Sequence, residues 1–342
     1  MNPANYNFAI MKYLRYFLFP FSVVYGYVMS IRNFLYDHDI LHSKTYNIPI
    51  VSVGNLNTGG TGKSPMIELL IRMLQDNFVI ATLSRGYKRT TSGFLEVSTS
   101  HTSMEVGDEP LQFKTNFPKV HVAVDANRRR GISELLNRFE DLEVILLDDA
   151  FQHRKVKPKI SILLTSYNDL YTKDFMLPTG HLREFPSGAN RANCIIVTKC
   201  PNLISEKEKT VIKKIFKPRK EQYVLFSTIV YADLVYSETI TKKLKSFDDF
   251  TLVTGIANPK PLVAHLKSLG KNPEHLAFPD HHEFTDNELI SLDKKSKILT
   301  TQKDYMRLKT KLKTAHLYYI PIQTQLLDSS NFFQSYLEEQ LL

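Results

Sequence analysis

Val51-Ser-Val-Gly54-Asn-Leu-Asn57-Thr58-Gly59-Gly60-Thr61-Gly62-Lys63-Ser64-Pro65 is the stretch that decides the fold. The apolar run Ile48–Val53 reads as a buried strand, glycines follow, and Gly-Lys-Ser opens a helical pattern over Ser64–Gln75. Glycines let backbone N–H groups curl around phosphate oxygens without Cβ clashes, and a helix N-terminus adds aligned donors with a partial positive charge. Residues Asn57, Thr58, Gly59, Gly60, Thr61, Gly62, Lys63 and Ser64 are therefore the expected nucleotide-binding loop. In that loop Lys63 reaches the β- and γ-phosphates and the Ser64 hydroxyl ligates Mg²⁺. One departure stands out: Asn57 occupies the place of the usual leading glycine, which Asn can fill because it tolerates left-handed backbone angles.

Working outward, such a loop needs a second strand that delivers a carboxylate. Val144–Leu147 followed by Asp148-Asp149 supplies it, so both aspartates are candidate metal ligands. Further Val- and Ile-rich runs lie at Val79–Leu83, Val120–Val124, Ile160–Leu164 and Ile195–Thr198, with helical stretches at Asn127–Phe139 and Ser205–Ile215. Runs apolar on both faces and alternating with helices predict an α/β fold: a P-loop NTPase-like, doubly wound, mostly parallel sheet. A second, smaller α/β domain is expected after the basic stretch Lys213–Lys220, ending in a helix near Asn331–Leu341. The expected division is 1–40, 41–222 and 223–342.

Residues 1–40 are the least water-adapted part. No charged residue occurs between Tyr16 and Ile31, whereas Lys12 and Arg15 precede the run and Arg32 ends it. A helix of that length spans about 24 Å, short of the roughly 30 Å hydrocarbon core, and Pro20 and Gly26 interrupt it. Crowded Tyr and Phe and the lack of a small-residue cleavage site argue against a signal peptide. The segment suits a membrane interface, with basic flanks reaching headgroup phosphates, or a helix packed on the rest of the protein.

Composition narrows the function classes. Of 342 residues, 43% are hydrophobic and 23% charged, which excludes a disordered chain. Forty-four Lys and Arg against 35 Asp and Glu give +9, favouring an anionic partner without choosing among nucleic acid, nucleotide and lipid. The two cysteines, Cys194 and Cys200, have no metal-ligand or redox spacing. Thr198-Lys199-Cys200-Pro201 begins a guanine-reading motif and fails, with Pro where the base-reading Asp belongs. A transport-ATPase signature is missing. Remaining readings are a small-substrate or lipid kinase, a nucleic-acid-associated ATPase, and a non-catalytic membrane-bound scaffold.

The ordered motifs favour the kinase. Gly54-Asn55 leads into Gly59–Pro65; then come Ser84-Arg85-Gly86-Tyr87, Gly107-Asp108-Glu109-Pro110, Asp148-Asp149-Ala150-Phe151-Gln152-His153, Leu177-Pro178 through Leu182-Arg183-Glu184, Gly255–Pro259, Phe278-Pro279-Asp280-His281-His282, and Lys303-Asp304. In this order they resemble the tetraacyldisaccharide 4′-kinase family, the lipid A kinases of Gram-negative bacteria, over nearly the whole chain. That family's loop also lacks the leading glycine.

The resemblance implies transfer of the ATP γ-phosphoryl group to the 4′-hydroxyl of a tetraacylated glucosamine disaccharide 1-phosphate, giving lipid IVA. It implies a peripheral or monotopic protein at the cytoplasmic face of the inner membrane, bound to anionic phospholipid and not acting on nucleic acid; a monomer is expected. It assigns Asp108 as the base, with His281 completing a carboxylate–imidazole pair and Glu109 in support. Asp108 then falls in the first domain and His281 in the second, so domain closure is expected to assemble the site. Gln152, His153, Arg85 and Arg183 are candidate substrate or phosphate contacts. The run Arg128–Arg130 reads as a solvated charged face, and Lys303-Asp304 as a structural helix start.

Overall fold

The computed structural model describes residues 17–280, 282–313, 316–328 and 330–342. In chain order they form α1 (Phe19–Asp37), β1 (Ile50–Asn55), α2 (Lys63–Leu74), β2 (Ile80–Ser84), β3 (Leu95–Glu96), α3 (Ser103–Val106), α4 (Asp108–Asn116), β4 (His121–Val124), α5 (Arg128–Arg138), β5 (Val144–Asp148), β6 (Ile160–Ser166), β7 (Cys194–Thr198) and α6 (Glu206–Phe216). There follow β8 (Tyr223–Tyr231), β9 (Leu234–Tyr236), β10 (Thr241–Lys243), β11 (Thr251–Thr254), α7 (Lys260–Ser268), β12 (Glu274–Ala277), α8 (Asp286–Asp293), β13 (Lys297–Thr301), α9 (Gln302–Leu308), β14 (His316–Ile320), β15 (Ile322–Leu326) and α10 (Ser330–Leu341).

The chain divides into two compact units. One takes the chain up to Arg85, Asn127–Thr228 and Gln325–Leu342; the other takes Gly86–Ala126 and Ile229–Thr324. The chain leaves the first unit within β8 and returns to it within β15. That crossing lies near the expected boundary, but two segments depart from the expected contiguous division. Gly86–Ala126, including the strand expected at Val120–Val124, lies in the second unit, and the last helix lies in the first. Helix α10 buries Phe333, Leu337 and Leu341, and its Gln334 and Glu338 bond to Met73 O and the Asn77 amide of the α2 end.

In the first unit the strands run parallel in the order β8-β7-β6-β1-β5-β2. This is the mostly parallel, doubly wound sheet that the sequence pattern predicts. Strand β1 is buried throughout and sits between β5 and β6. The loop after β1 thus leaves the sheet where the winding direction reverses, the usual place for a ligand crevice in such sheets. Leu56, Phe151, Leu163, Ile195 and Phe226 anchor the core beside it. Helix α1 is continuous through Gly26, with Pro20 in its first turn where a missing N–H costs nothing. No helix among the described residues is long and apolar enough to cross a membrane.

The second unit holds a six-stranded sheet, β10-β9-β14-β13-β11-β12, parallel from β14 to β12. Its core gathers Leu252, Leu262, Leu266, Leu299, Tyr318 and Phe247. Helix α4 belongs here because it is bonded to α9: Asn116 and Gln302 exchange amide hydrogen bonds at 3.3 and 2.6 Å, and Lys303 Nζ donates to Glu109 Oε1 at 2.6 Å. Asp108 is therefore on the second unit and not, as expected, on the unit with the glycine-rich loop. His281 lies outside the described residues.

Candidate active site

The first unit sets the glycine-rich loop between the end of β1 and the start of α2. Gly62, at φ 85°, caps α2 in a left-handed conformation that an L side chain rarely adopts, so Lys63 and Ser64 form the helix's first turn. Asn55, fully buried at the end of β1, braces the loop from within: its Nδ2 donates to Asn57 O at 2.8 Å and to Gly59 O at 3.4 Å. On its outer side the loop pairs with the Leu182 segment, since Thr58 N donates to His181 O at 2.7 Å and Arg183 N to Leu56 O at 2.7 Å. Asn57 bridges Leu182 and is not among the residues with positive φ. The left-handed angle invoked for it is therefore not used; the loop passes Asn57 in a bridge, which any residue can enter.

The failed guanine motif has a structural use. Thr198 Oγ1 donates to Thr61 O at 2.7 Å, and Lys199 Nζ donates to Gly60 O. Two loop carbonyls are thus held from the β7 end. No local sequence rule encodes either contact; a Thr-Lys pair ending the strand two places from β1 is the one signal the chain offers.

Charge gathers at the end of β5. The Asp148 side chain is 3% exposed, with Ser84 Oγ 3.5 Å from its Oδ2. Asp149 turns away at φ 45°, and its Oδ1 receives Arg183 Nη1 at 3.0 Å and faces Lys63 Nζ at 3.6 Å. Lys63 Nζ also donates to Asn55 Oδ1 at 3.4 Å. Gln152 links the parts, donating to Asn55 O at 2.8 Å and Glu184 Oε1 at 3.1 Å. Burial, then the charges of Arg128, Lys155 and Arg32, push the His153 imidazole down to about 4, so it is neutral at pH 7. Arg85 is exposed. The expected solvated face Arg128–Arg130 holds only in part: Arg128 is buried and donates to Asp148 O at 2.9 Å, because the first turn of α5 passes the end of β5.

The second unit carries an acid–base cluster of its own. Gly107, at φ 94°, starts α4, and Asp108 is its first residue. Arg307 Nε donates to Asp108 Oδ2 at 2.8 Å, and Nη2 donates to the same oxygen. Arg307 Nη1 reaches Asp304 Oδ1 at 3.0 Å and Gly255 O at 3.2 Å. Asp304 thus does the structural work expected of it, and also accepts from Gly255 N and the Thr301 hydroxyl at 2.9 and 2.8 Å. Burial alone would weaken the Arg307 charge, but Asp108, Asp304 and Asp280 hold its pKa above the ordinary arginine value. His282 pairs with Glu288 at 2.9 Å. No group of three or more His, Cys, Asp or Glu is assembled to hold a metal among the described residues.

A glycine-rich loop opening a helix lies beside a strand that ends in the buried Asp148. The profile of the family described as tetraacyldisaccharide-1-P 4′-kinase matches residues 14–342. The chain belongs to this family. Tetraacyldisaccharide 4′-kinase of Flavobacterium johnsoniae is 48% identical over 340 residues, covering 97% of this chain and 99% of the relative. That of Bacteroides thetaiotaomicron is 40% identical over 339 residues, covering 91% and 89%. A crystal structure of LpxK from Aquifex aeolicus in complex with ATP superposes with a TM-score of 0.78 at 28% identity, covering 96% of this chain and 100% of that one. This family member is accordingly an ATP-dependent kinase on a P-loop fold, as the strand–loop–helix pattern predicts.

Proposed function

We propose that this chain transfers the γ-phosphoryl group of ATP to the 4′-hydroxyl of a tetraacylated glucosamine disaccharide 1-phosphate, producing lipid IVA at a membrane surface. The observation that carries the reading is the Gly59–Ser64 cradle, braced by Asn55, Thr198 and Lys199, with Asp148 buried at the end of the neighbouring strand.

Phosphoryl transfer depends on positioning and charge neutralisation more than on covalent chemistry. The Asn57–Ser64 loop holds the β- and γ-phosphates with backbone amides other than those of Thr58 and Thr61, which donate to His181 O and Gly59 O. Lys63, poised on Asn55 and Asp149, offers its ammonium to the γ-phosphoryl oxygens. Arg183, which shares Asp149 with Lys63, lies within reach of the same charge. The Ser64 hydroxyl and the Asp148 carboxylate, both buried, are the hard oxygen donors that Mg²⁺ prefers, and Mg²⁺ takes few protein carboxylates beside substrate phosphates. These two would hold the Mg²⁺ that arrives with ATP, with Asp149 beside them, and the ion would supply further charge neutralisation. Asp108 accepts the proton of the 4′-hydroxyl, with His281 as its partner and Glu109 in support. Gln152, His153 and Arg85 serve the phosphate or acceptor side.

The membrane reading rests on α1. Phe21, Val24, Tyr27, Val28, Ile31 and Phe34 are exposed on a helix whose opposite side is bonded down: Ser22 to Thr179, Tyr25 to Arg183 O, and Asn33 to Glu184. A stripe of that kind beside Arg32 fits the interface of an anionic bilayer, at the cytoplasmic face of the inner membrane. The positive balance then serves lipid headgroups and the substrate's 1-phosphate, not nucleic acid, and the protein acts as a monomer.

Incubating the protein with γ-labelled ATP, Mg²⁺ and the detergent-dispersed disaccharide 1-phosphate tests the reaction. Label is expected at the 4′ position, and a folded protein that leaves it unlabelled removes the reading. Normal rates in both Asp108→Ala and His281→Ala would remove only the base assignment.

A further inference from the structure

We propose that Arg307 is a positioning residue for the reaction: it sets the orientation of the Asp108 carboxylate and, by dividing its charge with Asp304, leaves that carboxylate able to take a proton. This inference deepens the reading of Asp108 as the base and rests on it.

Geometry is the first ground. The guanidinium is planar, with donors at fixed spacing, so two donors on one carboxylate oxygen restrain both side-chain torsions of the aspartate. Arg307 gives Nε and Nη2 to Asp108 Oδ2 and is itself only 9% exposed. Its third corner, Nη1, is tied to Asp304 Oδ1 and Gly255 O. Asp304 is in turn fixed from the side by Gly255 N and the Thr301 hydroxyl. A Cβ on Gly255 would stand 3.0 Å from Asp304 Oδ1, so the close approach of this strand-end turn to the carboxylate suits a glycine. The parts on α4 and α9 are also tied by Lys303–Glu109 and by the Asn116–Gln302 amide pair. Asp108 cannot turn without disturbing contacts on three segments of the chain.

Charge is the second ground. An arginine paired with a single carboxylate stabilises its ionised form and weakens it as a base. Here one guanidinium serves two carboxylates, Asp108 and the fully buried Asp304. Asp304, whose burial raises its pKa, and Asp280 draw on the same guanidinium, so its charge is not given to Asp108 alone. A buried ion pair is a weak device for stability alone, since desolvation consumes most of the Coulomb gain. Orientation is the use that this arrangement serves.

The test is a double-mutant cycle on the full-length protein, with kcat and both KM values for wild type, Arg307→Gln, Arg307→Lys, Asp108→Ala and Asp108→Ala with Arg307→Gln. Arg307→Gln is expected to lower kcat by about tenfold or more while the KM for ATP changes by less than about twofold. Arg307→Lys, a point charge without the fork, should restore part of that loss. In the Asp108→Ala background Arg307→Gln should lower kcat no further, because there is no carboxylate left to orient. An Arg307→Gln kcat within about twofold of wild type overturns the inference, and so does an equal loss with and without Asp108, which is what a merely structural role produces. Should Arg307→Gln fail to fold, Arg307→Lys carries the same cycle: a loss of kcat seen with Asp108 and absent without it supports the inference, and a loss equal in both backgrounds, or none in either, overturns it. A fast Asp108→Ala removes the base assignment itself, whereas a slow Asp108→Ala beside a fast Arg307→Gln removes only the role of Arg307.

Discussion

The Lys63 ammonium lies 3.6 Å from Oδ1 of Asp149, the same oxygen that receives Arg183 at 3.0 Å. One carboxylate thus parks two cations at the mouth of the phosphate cradle. Neither pair is deeply buried, so neither contributes much to stability, on the order of 0–1 kcal/mol. In the proposed reaction their value is local positive charge for the γ-phosphoryl group. Lys63→Ala should therefore lower kcat by about 100-fold or more, the usual cost of removing a donor aimed at developing charge. The melting temperature should stay within a few degrees of wild type. Steady-state kinetics beside thermal unfolding checks this, and unaltered turnover would show that Lys63 does not touch the transferred group.

Gly54 argues for a second outcome. A Cβ there would sit 2.7 Å from Phe151 Cβ and 2.8 Å from Phe151 N, and the second of these is backbone, which cannot swing aside. Gly54→Ala should destabilise the protein by about 1–3 kcal/mol, as overpacking of a tight site does. Because Phe151 follows the Asp149-Ala150 turn, activity should fall with it. Urea unfolding of Gly54→Ala and Gly54→Ser gives the measurement; a midpoint equal to wild type would mean that the two segments separate at little cost.

How much of the molecule is legible in its sequence follows from range. Strand-forming apolar runs and the Gly62-Lys63-Ser64 helix start are local signals, and the corresponding elements β1, α2, β5 and β7 form within two residues of expectation. Asn55, Thr198, Lys199 and Arg307 act through contacts to segments outside their own elements, which no spacing rule encodes. Arg128 shows the same limit from the other side: in a run of three arginines, only the fold decides which one turns inward to Asp148 O. Chain order puts Asp108 before Asp148 and so suggests a place beside the glycine-rich loop, whereas its bonds to Arg307 put it with α9.

His153 supplies a pH dependence. Protonating it is harder in the folded chain, at about 4, than at the ordinary value of 6.5. Between those values the unfolded chain binds the extra proton, so stability falls as the medium is acidified through that window and is constant above it. Wild type should therefore lose more stability from pH 7 to pH 5 than His153→Asn does. Urea unfolding at both pH values reads the difference, and identical losses in the two proteins would mean that His153 is not held neutral.

Helix α1 should govern membrane attachment. Phe21, Val24 and Val28 lie along one exposed stripe, and each large apolar side chain moved from water to lipid is worth about 1.5–3 kcal/mol. Phe21→Asp with Val28→Asp should weaken co-sedimentation with phosphatidylglycerol-containing vesicles by at least about tenfold. The ATP affinity should be unchanged, because the cradle's braces are elsewhere. Retained vesicle binding would point to another surface.

Thr198 and Lys199 make the last prediction, on the nucleotide rather than the acceptor. Thr198 is buried, and its hydroxyl donates to Thr61 O at 2.7 Å, while Lys199 donates to Gly60 O. Both contacts hold loop carbonyls in place, and with the Thr61 N–Gly59 O bond at 3.0 Å they fix the loop in one conformation. Thr198→Val keeps the shape and removes the donor, so Thr61 O loses a partner at a cost of about 1–3 kcal/mol. Part of that cost should emerge as a higher KM for ATP, about three- to tenfold, because the triphosphate must then organise the loop that receives it. Lys199 is exposed, so Lys199→Ala should act in the same direction and less strongly. Equilibrium binding of ATP with both variants separates this from a change in the chemical step: affinity should fall while single-turnover rates at saturating ATP stay near wild type. If the single-turnover rates fall and affinity does not, these residues act on the transfer itself, and the bracing role is lost.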